Sequence, residues 1–146
     1  MKKDLDFLSK EEEEEIVEAI RTAEGRTSGE IRVHLEKTVG DKDIFDRAME
    51  VFHMLKMDNT KAENGVLIYV AVEDRNFVIY GDKGINDVVP SDFWESTKDA
   101  IVAQFKKGNF KQGLIDGVLK AGEQLKKHFP WTEDNENELS NKISKA

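Results

Sequence analysis

The chain contains no cysteine and only two prolines, Pro90 and Pro130. Without thiols, disulfides, thiolate metal sites, Fe–S clusters and cysteine nucleophiles are excluded. Long apolar runs are also missing. The longest, Val66–Val72, is far too short to cross a bilayer, which takes about 20 residues. Met1–Lys10 alternates charge and lacks the apolar core of a signal peptide, so the expected location is cytoplasmic. There is no Gly-x-Ser-x-Gly elbow and no glycine-rich phosphate loop ending in Gly-Lys-Ser/Thr. Gly81-Asp82-Lys83-Gly84 is too short for such a loop and reads as a tight turn closing a hairpin. The histidines His34, His53 and His128 share no ligand spacing, which argues against zinc.

Basic charge is in the minority. The 146 residues carry 22 Lys/Arg against 30 Asp/Glu, a net charge of −8. Residues 1–15 hold seven Asp/Glu and three Lys, and residues 131–146 hold four and two. The middle therefore keeps 19 acids and 17 bases and is nearly neutral. That balance argues against a nucleic-acid binder, which needs a basic face.

Hydrophobic spacing gives the elements. Ser9-Lys10-Glu11-Glu12 is a capping box, and Glu11–Glu15 then sit at the positive end of a helix dipole. Ile16, Ile20 and Ala23 follow at helical spacing, and Gly25 ends that helix. Ile31, Val33 and Leu35 alternate with Arg32, His34 and Glu36, which predicts a half-exposed strand with His34 in a surface or semi-buried structural role. Asp43 is a suitable N-cap for a second helix along Ile44, Ala48, Val51 and Leu55. Val66–Val72 reads as a strand buried on both faces, and Phe77–Tyr80 returns after a turn at Glu73–Asn76. Pro90-Ser91-Asp92 predicts the start of a third helix along Trp94, Thr97, Ile101 and Phe105. Phe110, Leu114, Val118, Ala121 and Leu125 mark a fourth, in which Gly113 and Gly117 imply close approach to a neighbour. Trp94 and Trp131 read as packing residues.

The order α-β-α-β-β-α-α predicts an α/β fold: a three-layer α/β/α sandwich with a small mixed central sheet flanked by about four main helices. Strands 31–35 and 66–72 are expected parallel, with 77–80 antiparallel to them. The expected organisation is an extension over 1–8, one domain over 9–130 and an acidic polar tail over 131–146. Asp134–Glu138 resembles the start of an EF-hand loop but lacks its Gly and Glu positions, so that motif is rejected.

This topology gathers Glu30, Asp58, Glu63, Asn64, Asp82 and Asp87 at one end of the sheet. Their oxygen donors suit Ca²⁺ or Mg²⁺. The opposite end collects Glu36, Asp41, Asp43, Glu73, Asp74 and Arg75, where ligands of parallel sheets tend to bind. The plain alternative at either end is a set of solvated acids, with Asp74 making a turn.

Several segments together resemble the TPM domain family, which includes a thylakoid-lumen acid phosphatase. They are Ser28–Val33, Asn64–Val70, Asp74-Arg75, Gly81–Ile85, Phe105–Phe110 and Gly113-Leu114, and the resemblance spans about residues 8–129. Asn137–Leu139 is similar to tails of the soluble bacterial branch. The resemblance implies an α/β/α sandwich and a crevice whose acids hold divalent cations, often Ca²⁺. It carries Glu30, Asn64, Asp74 and Asp82 over as metal-site positions; Asp58, Glu63 and Asp87 are added from topology. The expected function is a divalent-cation-binding module, monomeric, acting through a protein partner. A metal-assisted acid phosphatase is the alternative, with Arg75 or Lys83 facing phosphate, although no nucleophile stands in a recognisable setting. A crevice binding a basic peptide is the third reading.

Overall fold

The computed structural model describes residues 8–131 and 142–145. Helix α1 (Lys10–Glu24) opens on the capping box: the Glu12 amide donates to Ser9 Oγ at 3.1 Å and the Ser9 amide to Glu12 Oε1 at 2.9 Å. Both otherwise orphaned donors are satisfied, which starts the helix at this point. Gly25 caps the other end, and Ile16, Ala19, Ile20 and Ala23 are its buried face. Then come β1 (Glu30–Glu36) and α2 (Ile44–Met54), the latter capped by Asp43, which accepts the Asp46 amide. Strands β2 (Gly65–Ala71) and β3 (Asn76–Gly81) form the hairpin. A short helix α3 (Lys83–Asn86), α4 (Glu95–Phe105), α5 (Phe110–Leu125) and a two-residue strand β4 (Ser144–Lys145) complete the chain.

The sheet order is β3-β2-β1-β4. β1 runs parallel to β2, with Glu30 opposite Gly65, and parallel to β4, with His34 opposite Ser144. β3 is antiparallel to β2. One face carries Ile31, Val33, Leu35, Val66, Ile68 and Val70 against α1, α4 and α5. The other carries Leu67, Tyr69 and Ala71 against Ala48, Val51 and Phe52 of α2. This is the three-layer α/β sandwich expected, with three long helices on one face and one on the other. No helix among the described residues is long and apolar enough to cross a membrane.

Four details differ from expectation. β1 is not half-exposed: six of its seven residues are buried, and His34 is only 2% exposed. β2 is buried on both faces as expected, and on β1 the Tyr69 ring stacks on His34 while Arg47 of α2 bonds to Glu36. Gly81–Gly84 does not close the hairpin as a turn; Asp82 instead caps α3. α4 starts at Glu95, after a turn over 91–94, and its cap residue Trp94 makes no side-chain cap bond. Finally, Ser144 and Lys145, within the segment expected to be a polar tail, pair with the first strand. The Asp134–Glu138 segment lies outside the described residues.

The glycines of α5 do mark close approaches. A Cβ on Gly117 would stand 2.6 Å from Ile101 Cγ1 of α4, and one on Gly122 would stand 2.7 Å from Ala23 Cβ of α1. A Cβ on Gly113 would meet Phe105 at 2.5 Å.

Candidate functional site

Parallel pairing puts the starts of β1 and β2 at one end of the sheet, and the antiparallel β3 finishes there. The Asp82 amide donates to the Gly65 carbonyl at 2.9 Å, which seats Asp82 beside the start of β2. Its Oδ1 accepts the Lys83 amide at 2.7 Å and so caps α3. Its Oδ2 is buried and has no hydrogen-bond partner among the described residues. Burial is the largest influence and raises the Asp82 pKa; the Lys83 amide lowers it; the charges of Glu63 and Asp58 raise it again.

Glu63 and Asp58 are exposed on the loop before β2. Glu63 holds a left-handed backbone, φ 51°, and Asp58 Oδ2 lies 3.0 Å from His53 Nδ1. Thr60, on the same loop, also has a buried hydroxyl without a partner among the described residues. Gly84 lets this loop sit down on α3: a Cβ there would be 2.4 Å from the Ala62 carbonyl oxygen and 2.5 Å from that of Glu63.

The remaining expected positions divide. Asn64 is buried beside this loop; its carbonyl accepts the Glu30 amide at 3.3 Å and its Nδ2 lies 3.4 Å from Ser28 Oγ. Glu30 is buried at the start of β1, where its charge acts on Glu24. Asp87 is the exposed C-cap of α3. Asp74 lies at the other end of the sheet, where Thr38 Oγ1 donates to it at 2.9 Å and the Val39 amide at 2.9 Å. The arrangement brings Asp82, Glu63 and Asp58 within electrostatic reach of one another and leaves Asp74 far off. Among the described residues, no three His, Asp or Glu side chains stand in metal-holding geometry. A buried carboxylate oxygen without a donor is costly until a proton or a cation meets it, and Asp82 Oδ2 is such an oxygen.

Two groups escaped the sequence reading. The first is Glu24, whose Oε2 accepts the Ile31 amide at 2.9 Å. Burial pushes its pKa up most, the Ile31 amide opposes this, and Glu30 adds to it, leaving it at about 7. The second is a buried network on the α2 face of β1. Glu36 accepts Arg47 Nε at 2.9 Å and Nη2 at 2.7 Å, and also accepts the Tyr69 hydroxyl. His34 Nε2 lies 3.3 Å from Glu36 Oε2, and its Nδ1 lies 2.9 Å from Ser144 Oγ. The His34 and Tyr69 rings stack at 5.7 Å.

Burial alone would raise the Glu36 pKa. Hydrogen bonds from Arg47, Tyr69 and His34 outweigh it and hold the carboxyl at about 2. Burial lowers the His34 pKa more than Glu36 raises it, so the ring is neutral at pH 7. The neutral tautomer that satisfies both contacts donates Nε2–H to Glu36 and accepts the Ser144 hydroxyl at Nδ1. Every oxygen of Glu36 is engaged, so the network works as a clasp. It ties α2 and β4 to the sheet, while Lys145 pairs with Glu13 on α1. Its signal was present in the sequence: a strand next to the all-apolar Val66–Val72 must itself be buried, so its polar face needs internal partners.

A mixed sheet between helix layers, with acids gathered at the strand starts, defines a small α/β domain of the kind the TPM resemblance implies. The chain belongs to the TPM domain family, whose model matches residues 1–124. It is similar to the BA42 protein of the psychrophilic bacterium Bizionia argentinensis, with 69% identity, 97% of each chain covered and a TM-score of 0.92. The N-terminal domain of a Porphyromonas gingivalis protein shares the fold at 22% identity and a TM-score of 0.71, covering 85% of this chain and 80% of that one. The N-terminal domain of the cg2496 protein from Corynebacterium glutamicum shares it at 12% identity and a TM-score of 0.66, covering 86% and 79%. No curated protein matches the chain.

Proposed function

We propose that this TPM domain binds a divalent cation, Ca²⁺ or Mg²⁺, at the end of the sheet where β1 and β2 begin, and acts through a protein partner rather than by turnover. One observation carries the reading: the buried Asp82 Oδ2 has no partner among the described residues and is flanked by the charges of Glu63 and Asp58. Asp82 would be the fixed ligand. Glu63 and Asp58 would be the adjustable ones, being exposed on a loop that rests on Gly84. Oxygen-only donors of this kind favour hard cations.

Calcium titration followed by amide NMR tests the reading. Saturable shifts at Asp58, Glu63 and Asp82 are expected at millimolar calcium or below, and Asp82→Asn is expected to abolish them. At 100 times the dissociation constant, calcium should stabilise the wild type by about 2.7 kcal/mol. Unsaturable shifts, or saturable shifts confined to Asp74, would overturn it.

A further inference from the structure

The opposite end of the sheet holds a cavity that the cation reading does not use. Its volume is about 460 Å³, in the range of small-molecule sites. Val70 and Val72, at the carboxyl end of β2, form its floor, and Phe105 and Phe110 from the α4–α5 turn form a wall. The two rings stack at 5.1 Å with 26° between planes, and Phe77 holds Phe105 from its edge at 5.8 Å. The wall is therefore a fixed aromatic surface.

Arg75 and Lys106 stand at the rim. Neither is given an ion pair or side-chain hydrogen bond by any described residue, whereas nearby cations are engaged: Lys37 with Glu73, and Lys111 with Glu15. Asp74, next in sequence to Arg75, is occupied by Thr38 and Val39. Arg75 also holds a left-handed backbone, φ 52°, at the last position of the hairpin turn, where Gly or Asn is the unstrained choice. An arginine at such a position, lining an aromatic cavity with no ion-pair partner among the described residues, suits an anion-binding role.

We propose that this cavity binds a small amphipathic anion: a flat apolar ring lying on Phe105 and Phe110, carrying a carboxylate that Arg75 and Lys106 receive. The ring supplies contact area and the two cations supply orientation. The site lies at the carboxyl end of the central strands, where ligands of α/β sheets settle. It is separate from the Asp82 region, so calcium is not needed for it.

The test is an amide NMR titration of the full chain with naphthalene-2-carboxylate, run beside neutral naphthalene-2-methanol and inorganic phosphate. The carboxylate is expected to give saturable shifts at Val70, Val72, Gly108 and Phe110. Arg75→Gly should weaken binding about tenfold, as loss of one charge-assisted contact implies, and Arg75→Gly with Lys106→Ala should remove saturation below 10-fold higher ligand. Glycine suits the turn, so Arg75→Gly should melt no lower than wild type, which separates lost binding from lost folding. Equal binding of the neutral ring, equal binding of phosphate, or unchanged affinity in Arg75→Gly would each overturn the proposal.

Discussion

Replacing Glu24 with glutamine should stabilise the protein at alkaline pH and leave it unchanged in acid. The carboxyl titrates near 4.5 when unfolded and at about 7 when folded. The folded state thus holds a proton that the unfolded chain has released, so stability falls as pH rises from 4.5 through 7. The penalty is absent below that window and complete above it. At about 1.4 kcal/mol per pH unit, the span amounts to about 3 kcal/mol. That is a ceiling, because Glu24 is partly exposed and water screens it; about 1–2 kcal/mol is the working expectation. Glutamine keeps an oxygen for the Ile31 amide, so only the charge is removed. Urea unfolding by circular dichroism at pH 8 and pH 4.5 reads the effect as a midpoint shift with unchanged slope. An equal gain at both pH values would mean that packing, not ionisation, is responsible. No gain at pH 8 would refute the reasoning.

Three further outcomes are expected. Arg47→Met strands Glu36 in the interior and should cost about 3–5 kcal/mol in urea unfolding; because Glu36 titrates at about 2 when folded against 4.5 unfolded, wild type should lose its contribution as pH falls across that window, and the variant should lack this acid limb. Asp82→Asn without added cation keeps the cap of α3 while removing a buried charge, and should raise stability by about 1–2 kcal/mol, read as a higher melting temperature in chelator. Gly84→Ala would set a Cβ 2.4 Å from a backbone oxygen, so it should destabilise by about 1–3 kcal/mol and shift the Asp58 and Glu63 amides.

The long elements were legible because each has a strong period or cap. Ser9 with Glu12 and Asp43 with Asp46 act as their types suggest. β1 misled because period two reports alternating polarity, not exposure; Arg47 and Tyr69 reach Glu36 from elements distant in sequence. α3 spans four residues, too few to show a pattern. At the site, the meeting of Asp82 with the start of β2 followed from the hairpin register. The posture of Glu63 did not, since its left-handed backbone belongs to a loop seated on Gly84. Glu24 was missed because its bond to Ile31 depends on how the chain turns between Gly25 and Gly29.

The glycines of α5 bear on the order in which the molecule assembles. Gly117 and Gly122 make this helix weak alone, each by about 1 kcal/mol relative to alanine. It gains its stability from α4, joined to it by a short turn, and from α1, which lies about a hundred residues earlier. The α4–α5 pair closes a short loop, while docking of α1 closes a long one. Of the three helices in this layer, α1 is thus synthesised well before α5, the helix it packs on. The buried face of α1 is completed only when Gly122 comes up against Ala23, so the layer closes late in synthesis.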